Sequence, residues 1–160
     1  MNEELEARIA ELDEEHRIDH ELAQATELPG HCDHDTETEG VVWSAATTIF
    51  RDLPVTLLRA RGRSSSLDLV GTTAVHATDV DADACWAMRT HHVHESRPPD
   101  GLACRHLAHD EPPTLCVPLG VSSRPYGLLI VGGDGGHAAH ARAFADRVGP
   151  FLGRSVDALT

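Results

Sequence analysis

Apolar positions recur at helical intervals at both ends of the chain and in short strand-like runs between them. Residues 2–28 are dense in Glu, Leu, Ala and Arg and contain no Gly or Pro until Pro29-Gly30, which predicts a helix stopped at that pair. Leu5, Ile9 and Leu12 follow 4,3 spacing, the start of a coiled-coil seam. The seam decays at His16 and Asp19, with Leu22 and Ala25 off register. Residues 1–30 therefore read as a helical arm suited to dimerisation, and residues 31–160 as the body of one domain. From Thr36 to Phe50, Val41, Val42, Ala45, Ala46, Ile49 and Phe50 fall on one helical face.

Val55 to Arg61 and Leu67 to Thr73 read as strands joined through Gly62-Arg63-Ser64-Ser65, and Thr114 to Val121 and Tyr126 to Gly132 are the strongest strand patterns. Between the pairs, acidic caps over Asp79–Asp83 precede a short helix, Ala84 to Thr90. Glu95 to Pro113 is polar, holds four prolines and reads as loop. After the glycine-rich Gly132–Gly136 a last helix carries Phe144, Val148, Phe151, Leu152, Val156 and Leu159 on one stripe, with Pro150 set to kink or divide it. Strands clustered between terminal helices predict an α+β domain, an antiparallel sheet with helices packed on one side.

Composition narrows the partners. The chain of 160 residues is 41% apolar and 24% charged, in the range of globular domains. Its formal charge is −13, which repels nucleic-acid phosphates and anionic membrane surfaces. All thirteen of its basic residues are Arg, a bias that fits a high-salt cytoplasm or simply a GC-rich genome. Runs such as Gly127–Val131 are too short to span a bilayer, and the acidic N-terminus has no secretory h-region. A cytoplasmic location is expected.

Four cysteines and twelve histidines carry the candidate chemistry. In a reducing compartment such cysteines are metal ligands, redox thiols or small core residues. Cys85, His94, Cys104 and His106 supply two thiolates and two imidazoles, a complete tetrahedral set for Zn²⁺ first and a redox-active or iron-type metal second. Cys85 falls in the first turn of the predicted helix, where the dipole favours thiolate. A metal staple would also hold the Glu95–Pro113 loop, which is poor in apolar residues, and Asp110 or Glu111 could orient the imidazoles. Cys116, inside the apolar strand Leu115–Leu119, reads as a core residue rather than a ligand. His91, His92 and His109 read as solvated loop residues. His31-Cys32-Asp33-His34 resembles a second cluster, but reads better as a capping segment for the helix that follows. The glycine-rich run lacks a P-loop Lys or a dinucleotide pattern, and no G-x-S-x-G or H-E-x-x-H occurs.

One group of residues resembles a known family. Ala84-Cys85-Trp86-Ala87-Met88-Arg89 with His94, then Cys104-Arg105-His106-Leu107, Leu115–Leu119 and Tyr126–Leu129, resembles a subgroup of GAF domains often found beside diguanylate cyclase or histidine kinase modules. The resemblance covers roughly residues 33–158. It implies a central antiparallel sheet, a ligand pocket under the loops, dimerisation through terminal helices and a role in signal transduction; it names no ligand. The Asn-Lys-Phe-Asp signature of cyclic-nucleotide GAF domains is absent, and three Phe, two Trp and one Tyr leave little lining for a haem or bilin. No kinase, cyclase or DNA-binding output fits within the 160 residues, so either signalling passes through a separate protein, the first expectation, or the domain was cut from something longer. Gly101-Leu102-Ala103-Cys104 is also similar to the surroundings of a reactive Cys in free methionine-sulfoxide reductases, which are GAF-like enzymes. A thiol redox enzyme or switch using Cys104 and Cys85 is therefore the alternative to a non-enzymatic metal-carrying sensor.

Overall fold

A computed structural model describes residues 2–31, 35–61, 64–74, 80–98, 102–108, 111–121, 124–133 and 137–152. Helix α1 (Asn2–Glu27) and a 3-10 turn at Leu28–His31 lead into α2 (Asp35–Ile49). Strands β1 (Val55–Arg61) and β2 (Ser64–Thr72) follow, then α3 (Trp86–Thr90), β3 (His94–Ser96), β4 (Thr114–Val121), β5 (Arg124–Gly132) and α4 (Ala138–Val148). The five strands form one antiparallel sheet in the order β2-β1-β5-β4-β3. The expected fold class is the observed one.

Helices cover one face of this sheet. Ile18, Leu22 and Ala25 of α1, Val42, Ala46 and Ile49 of α2, and Phe144 and Val148 of α4 are buried with Val55, Leu57, Leu115, Val117, Leu129 and Val131 of the strands. Phe50 and Phe144 meet edge to face at 6.3 Å, an arrangement aromatic quadrupoles favour. Arg17 donates to the Thr48 and Ile49 carbonyls at 2.6 and 3.1 Å, satisfying acceptors that the end of α2 leaves open. The division of α1 explains its sequence pattern. Ile18, Leu22 and Ala25 are packed, whereas Leu5, Ile9 and Leu12 are 62%, 51% and 53% exposed. At 3.6 residues per turn the two stripes lie about 140° apart around the helix, so the seam faces away from the domain. Pro150 ends the last helix: α4 stops at Val148 and passes into a 3-10 turn, Gly149–Phe151. Val156 and Leu159, placed on the same stripe by their spacing, lie outside the described residues.

The β4–β5 ladder aligns Leu119 with Gly127 but Gly120 with Pro125, leaving Tyr126 as the extra residue of a bulge. The bulge turns Tyr126 to the helix side, where its hydroxyl donates to the buried Glu39 carboxylate of α2. Arg59 of β1 donates to the same carboxylate at 2.7 Å. Gly127 lets β5 pass close to β1, since a Cβ there would meet the Leu58 carbonyl oxygen at 2.0 Å.

The opposite face carries a second, smaller core: Leu58, Leu67, Val80, Cys85, Ala87, Cys104, Cys116 and Leu128. Irregular chain around α3 and the turn after Leu102 covers it. No described helix is long and apolar enough to cross a membrane.

Candidate metal centre

Three segments bring thiols to this second face. Asp81 opens a 3-10 turn, Ala82–Ala84, by accepting from the Asp83 N–H through its side chain. Cys85 closes that turn and caps α3 in an extended conformation, φ −116° and ψ 120°, without spending its thiol on a capping bond. The expected helix start is thus displaced: Cys85 precedes the first turn rather than lying in it. The second segment is a turn closed by the Leu107 N–H on the Cys104 carbonyl at 3.1 Å. It is tied down by the Arg105 N–H on the Ala84 carbonyl at 3.0 Å and the Cys104 N–H on Ser96 Oγ at 3.0 Å. The third is β4. Period-two alternation sends Leu115, Val117 and Leu119 into the helix-side core and Cys116 to the other face.

The side chains of Cys85, Cys104, His106 and Cys116 converge, with one donor atom from each lying within 4.8 Å of all the others. Cys104 Sγ is 3.9 Å from Cys85 Sγ and 4.0 Å from Cys116 Sγ, and Cys116 Sγ is 3.6 Å from His106 Nε2. A tetrahedral centre with metal–sulfur bonds of about 2.3 Å and metal–nitrogen bonds of about 2.1 Å sets its sulfurs about 3.8 Å apart and sulfur from nitrogen about 3.6 Å. These three separations match that geometry. The three thiols are buried and unpaired by disulfides, and His106 is half-buried. Trp86 donates its backbone N–H to Cys104 Sγ at 3.2 Å, the type of bond that steadies a thiolate. The cluster is a Cys3His set that could hold a metal.

Of the residues expected from sequence, Cys85, Cys104 and His106 are brought together and His94 is not. His94 Nε2 sits 2.7 Å from the Leu102 carbonyl oxygen, and its ring packs near Trp86, centroids 6.4 Å apart. The Arg89 guanidinium also lies over Trp86, 4.8 Å from the ring centroid. The fourth vertex is instead Cys116, which sequence reasoning assigned to the core. The signal was present in the alternation of Leu115, Val117 and Leu119, which places Cys116 on the opposite face of its strand. His91 and His92 line a separate cavity of about 390 Å³ with Arg142 and Asp146. Cys32, Asp33 and His34 of the possible second cluster, as well as His109, Asp110 and residues 134–136, lie outside the described residues. Glu111 is described and exposed, with its N–H on the Ala108 carbonyl.

Electrostatics among the thiols is unequal. Hydrogen bonds from Cys116 and then Cys85 hold the Cys104 thiol well below the ordinary thiol range. Donation to Cys104 pushes Cys85 up to about 11 and, with burial, pushes Cys116 well up. Without a cation the pocket accommodates one charge, placed on Cys104, because burying three thiolates together is too costly. A divalent metal reverses that balance.

No known family profile and no curated protein matches the chain. Solved structures do. A protein described as a GAF sensor from Burkholderia vietnamiensis superposes with a TM-score of 0.62 at 14% identity, covering 87% of this chain and 95% of that one. The free methionine-R-sulfoxide reductase of Neisseria meningitidis, solved with its substrate, gives 0.63 at 18% identity over 86% and 89% of the two chains. The reduced form of fRMsr from Staphylococcus aureus gives 0.63 at 14% identity over 84% and 94%. The fold is GAF-like. In this GAF-like chain α1, α2 and α4 take one sheet face, and the Cys3His cluster with α3 takes the other. Neighbours of both kinds, sensor and reductase, share the scaffold, so scaffold alone does not choose between them.

Proposed function

We propose that the chain is a non-enzymatic GAF-like sensor or regulatory domain in which Cys85, Cys104, His106 and Cys116 bind a structural Zn²⁺. The observation that carries this reading is the match of the donor separations, 3.9, 4.0 and 3.6 Å, to a tetrahedral Zn²⁺ shell. A metal there would fasten the turn at Cys104 to the head of α3 and to the sheet, replacing apolar packing that this loop lacks. In this reading the domain acts in the cytoplasm as a dimer built on the Leu5, Ile9 and Leu12 seam, and hands its signal to a separate output protein. Protein purified under reducing conditions should carry one Zn²⁺ per chain, lost on acidification with chelator and restored by added Zn²⁺. Failure of reduced, folded protein to take up Zn²⁺ in competition with a micromolar chelator would remove the reading.

A second reading is supported by the 3.9 Å approach of Cys85 and Cys104 Sγ and by the two reductase neighbours. Cys104 thiolate would attack a sulfoxide sulfur and, with one proton taken up from solvent, the oxygen would pass to Cys104 as a sulfenic acid and the thioether would leave. The Cys85 thiol would then condense with it, releasing water and forming a disulfide that an external dithiol reduces. Reduction of free methionine sulfoxide by metal-free protein, abolished in Cys104→Ser, would put this reading first.

A further inference from the structure

The four side chains of the Cys3His set are not held alike. Cys116 is fixed by the β4 ladders on both sides, facing Ile130 of β5 and His94 of β3. Cys85 is fixed between the 3-10 turn and α3, and Cys104 by Ser96, Trp86 and the Arg105–Ala84 bond. All three are buried to 2% exposure or less. His106 is different. It follows the Arg105–Ala84 bond on the Cys104–Leu107 turn, and it is half-buried where the three thiols are buried.

His106 also forms part of the wall of a cavity of about 100 Å³. Val80, Leu107 and Ile130 give that cavity apolar sides, Thr56 and Thr114 line its sheet side, and Glu111 stands among its residues. The threonine hydroxyls have partners of their own, Thr72 and the Pro112 carbonyl. The cavity is thus a dry-sided recess beside the least anchored vertex of the cluster. A compact donor, about the size of a single five-membered ring, suits a recess of this volume.

We propose that His106 is an exchangeable ligand, and that a small neutral nitrogen or thioether donor enters this cavity and replaces its imidazole on the metal. The proposal rests on the Zn²⁺ reading and gives that site a regulation: occupancy of the cavity releases the His106 side chain while three thiolates keep the ion. The exchange trades one neutral donor for another, so no proton or electron changes hands. A neutral ligand is specified by charge. Three thiolates already leave a divalent ion with one net negative charge, and the Glu111 carboxylate stands beside the cavity, so an entering anion meets repulsion from both.

The test uses full-length protein loaded with Co²⁺, whose ligand-field bands report the donor set. Absence of tetrahedral thiolate bands would remove the Zn²⁺ reading itself, and the proposal with it. With those bands present, tetrahydrothiophene, a thioether of one five-membered ring, should shift them saturably at about millimolar to tens of millimolar, because it exchanges nitrogen for sulfur and tethered His106 competes at an effective concentration of that order. Acetate should bind at least about tenfold more weakly. In His106→Gly, imidazole should restore the wild-type spectrum. Tetrahedral bands that tetrahydrothiophene leaves unchanged in wild type would overturn the proposal even if the variant does not fold. So would a folded His106→Gly variant that gains no ligand from imidazole.

Discussion

His94 and Cys116 are direct cross-strand partners on β3 and β4, yet only Cys116 reaches the thiol cluster. Paired residues project to the same face of a sheet, and the imidazole there turns to the Leu102 carbonyl instead. Cys116→Ser should therefore weaken Zn²⁺ binding by more than the roughly 10–100-fold typical of losing an outer partner. His94→Ala should keep one Zn²⁺ per chain and lose affinity only within that outer-partner range, by loosening the segment before Cys104. Competition with a chromophoric chelator measures both. Equal affinity loss in the two variants would contradict the assignment of the fourth ligand.

Metal uptake should release protons in a predictable number. In the metal-free pocket Cys104 lies well below the ordinary thiol range, Cys85 is raised to about 11 and Cys116 is raised well above its usual value. Near neutral pH, Cys104 is already a thiolate and the other two are still thiols. Binding must then expel two protons, so affinity should fall about 100-fold for each unit of acidification. Calorimetry in buffers of different ionisation enthalpy counts the protons directly. A count near zero or one would mean that Cys85 or Cys116 does not join the metal.

Much of the fold was legible because its signals are local. Thr114–Val121 and Val55–Arg61 match their expected strands to the residue, since apolar runs of strand length bounded by Pro, Gly or Ser leave few alternatives. The three-residue β3 was missed. His94-Glu95-Ser96 contains no apolar residue and is a strand only because β4 offers it an edge. That omission made His94 look like a loop residue free to turn toward a metal. Cys116 failed for the converse reason: an apolar run shows that a residue is buried, but both faces of this strand are buried. Which face adjoins Cys85 and Cys104 is a tertiary fact.

The Tyr126–Glu39–Arg59 group should matter to stability rather than to metal. Glu39 is buried to 8% exposure and accepts from both partners. Tyr126→Phe removes a donor to a buried carboxylate, a loss of about 1.5–3 kcal/mol by the usual worth of bonds to charged groups. Urea denaturation should show a lower midpoint with an unchanged slope. Zn²⁺ stoichiometry should be unaffected, because the group lies on the helix side of the sheet.

Shortening the helical arm needs care, because α1 has two roles. Removal of residues 1–28 would strip Ile18, Leu22 and Ala25 from the core as well as the exposed seam. Replacing Leu5, Ile9 and Leu12 with Gln separates the roles. Sedimentation should then show dimers becoming monomers at unchanged thermal stability of the domain at matched monomer concentration. A wild-type chain that sediments as a monomer at high concentration would rule out the seam as an interface.

The alternation along β4 has a further consequence for how this gene can vary. One strand is at once a wall of the helix-side core and the floor of the cysteine pocket, with Leu115, Val117 and Leu119 on one side and Cys116 on the other. Shifting its pairing by a single residue exchanges the two sides. A one-codon insertion or deletion in β4 before Cys116 would present a leucine or valine to the pocket and bury the thiol among aliphatic side chains. Point substitutions at Leu115 or Val117 can be absorbed by repacking. Length changes cannot, so this stretch should tolerate exchange of its letters far better than any change in their number.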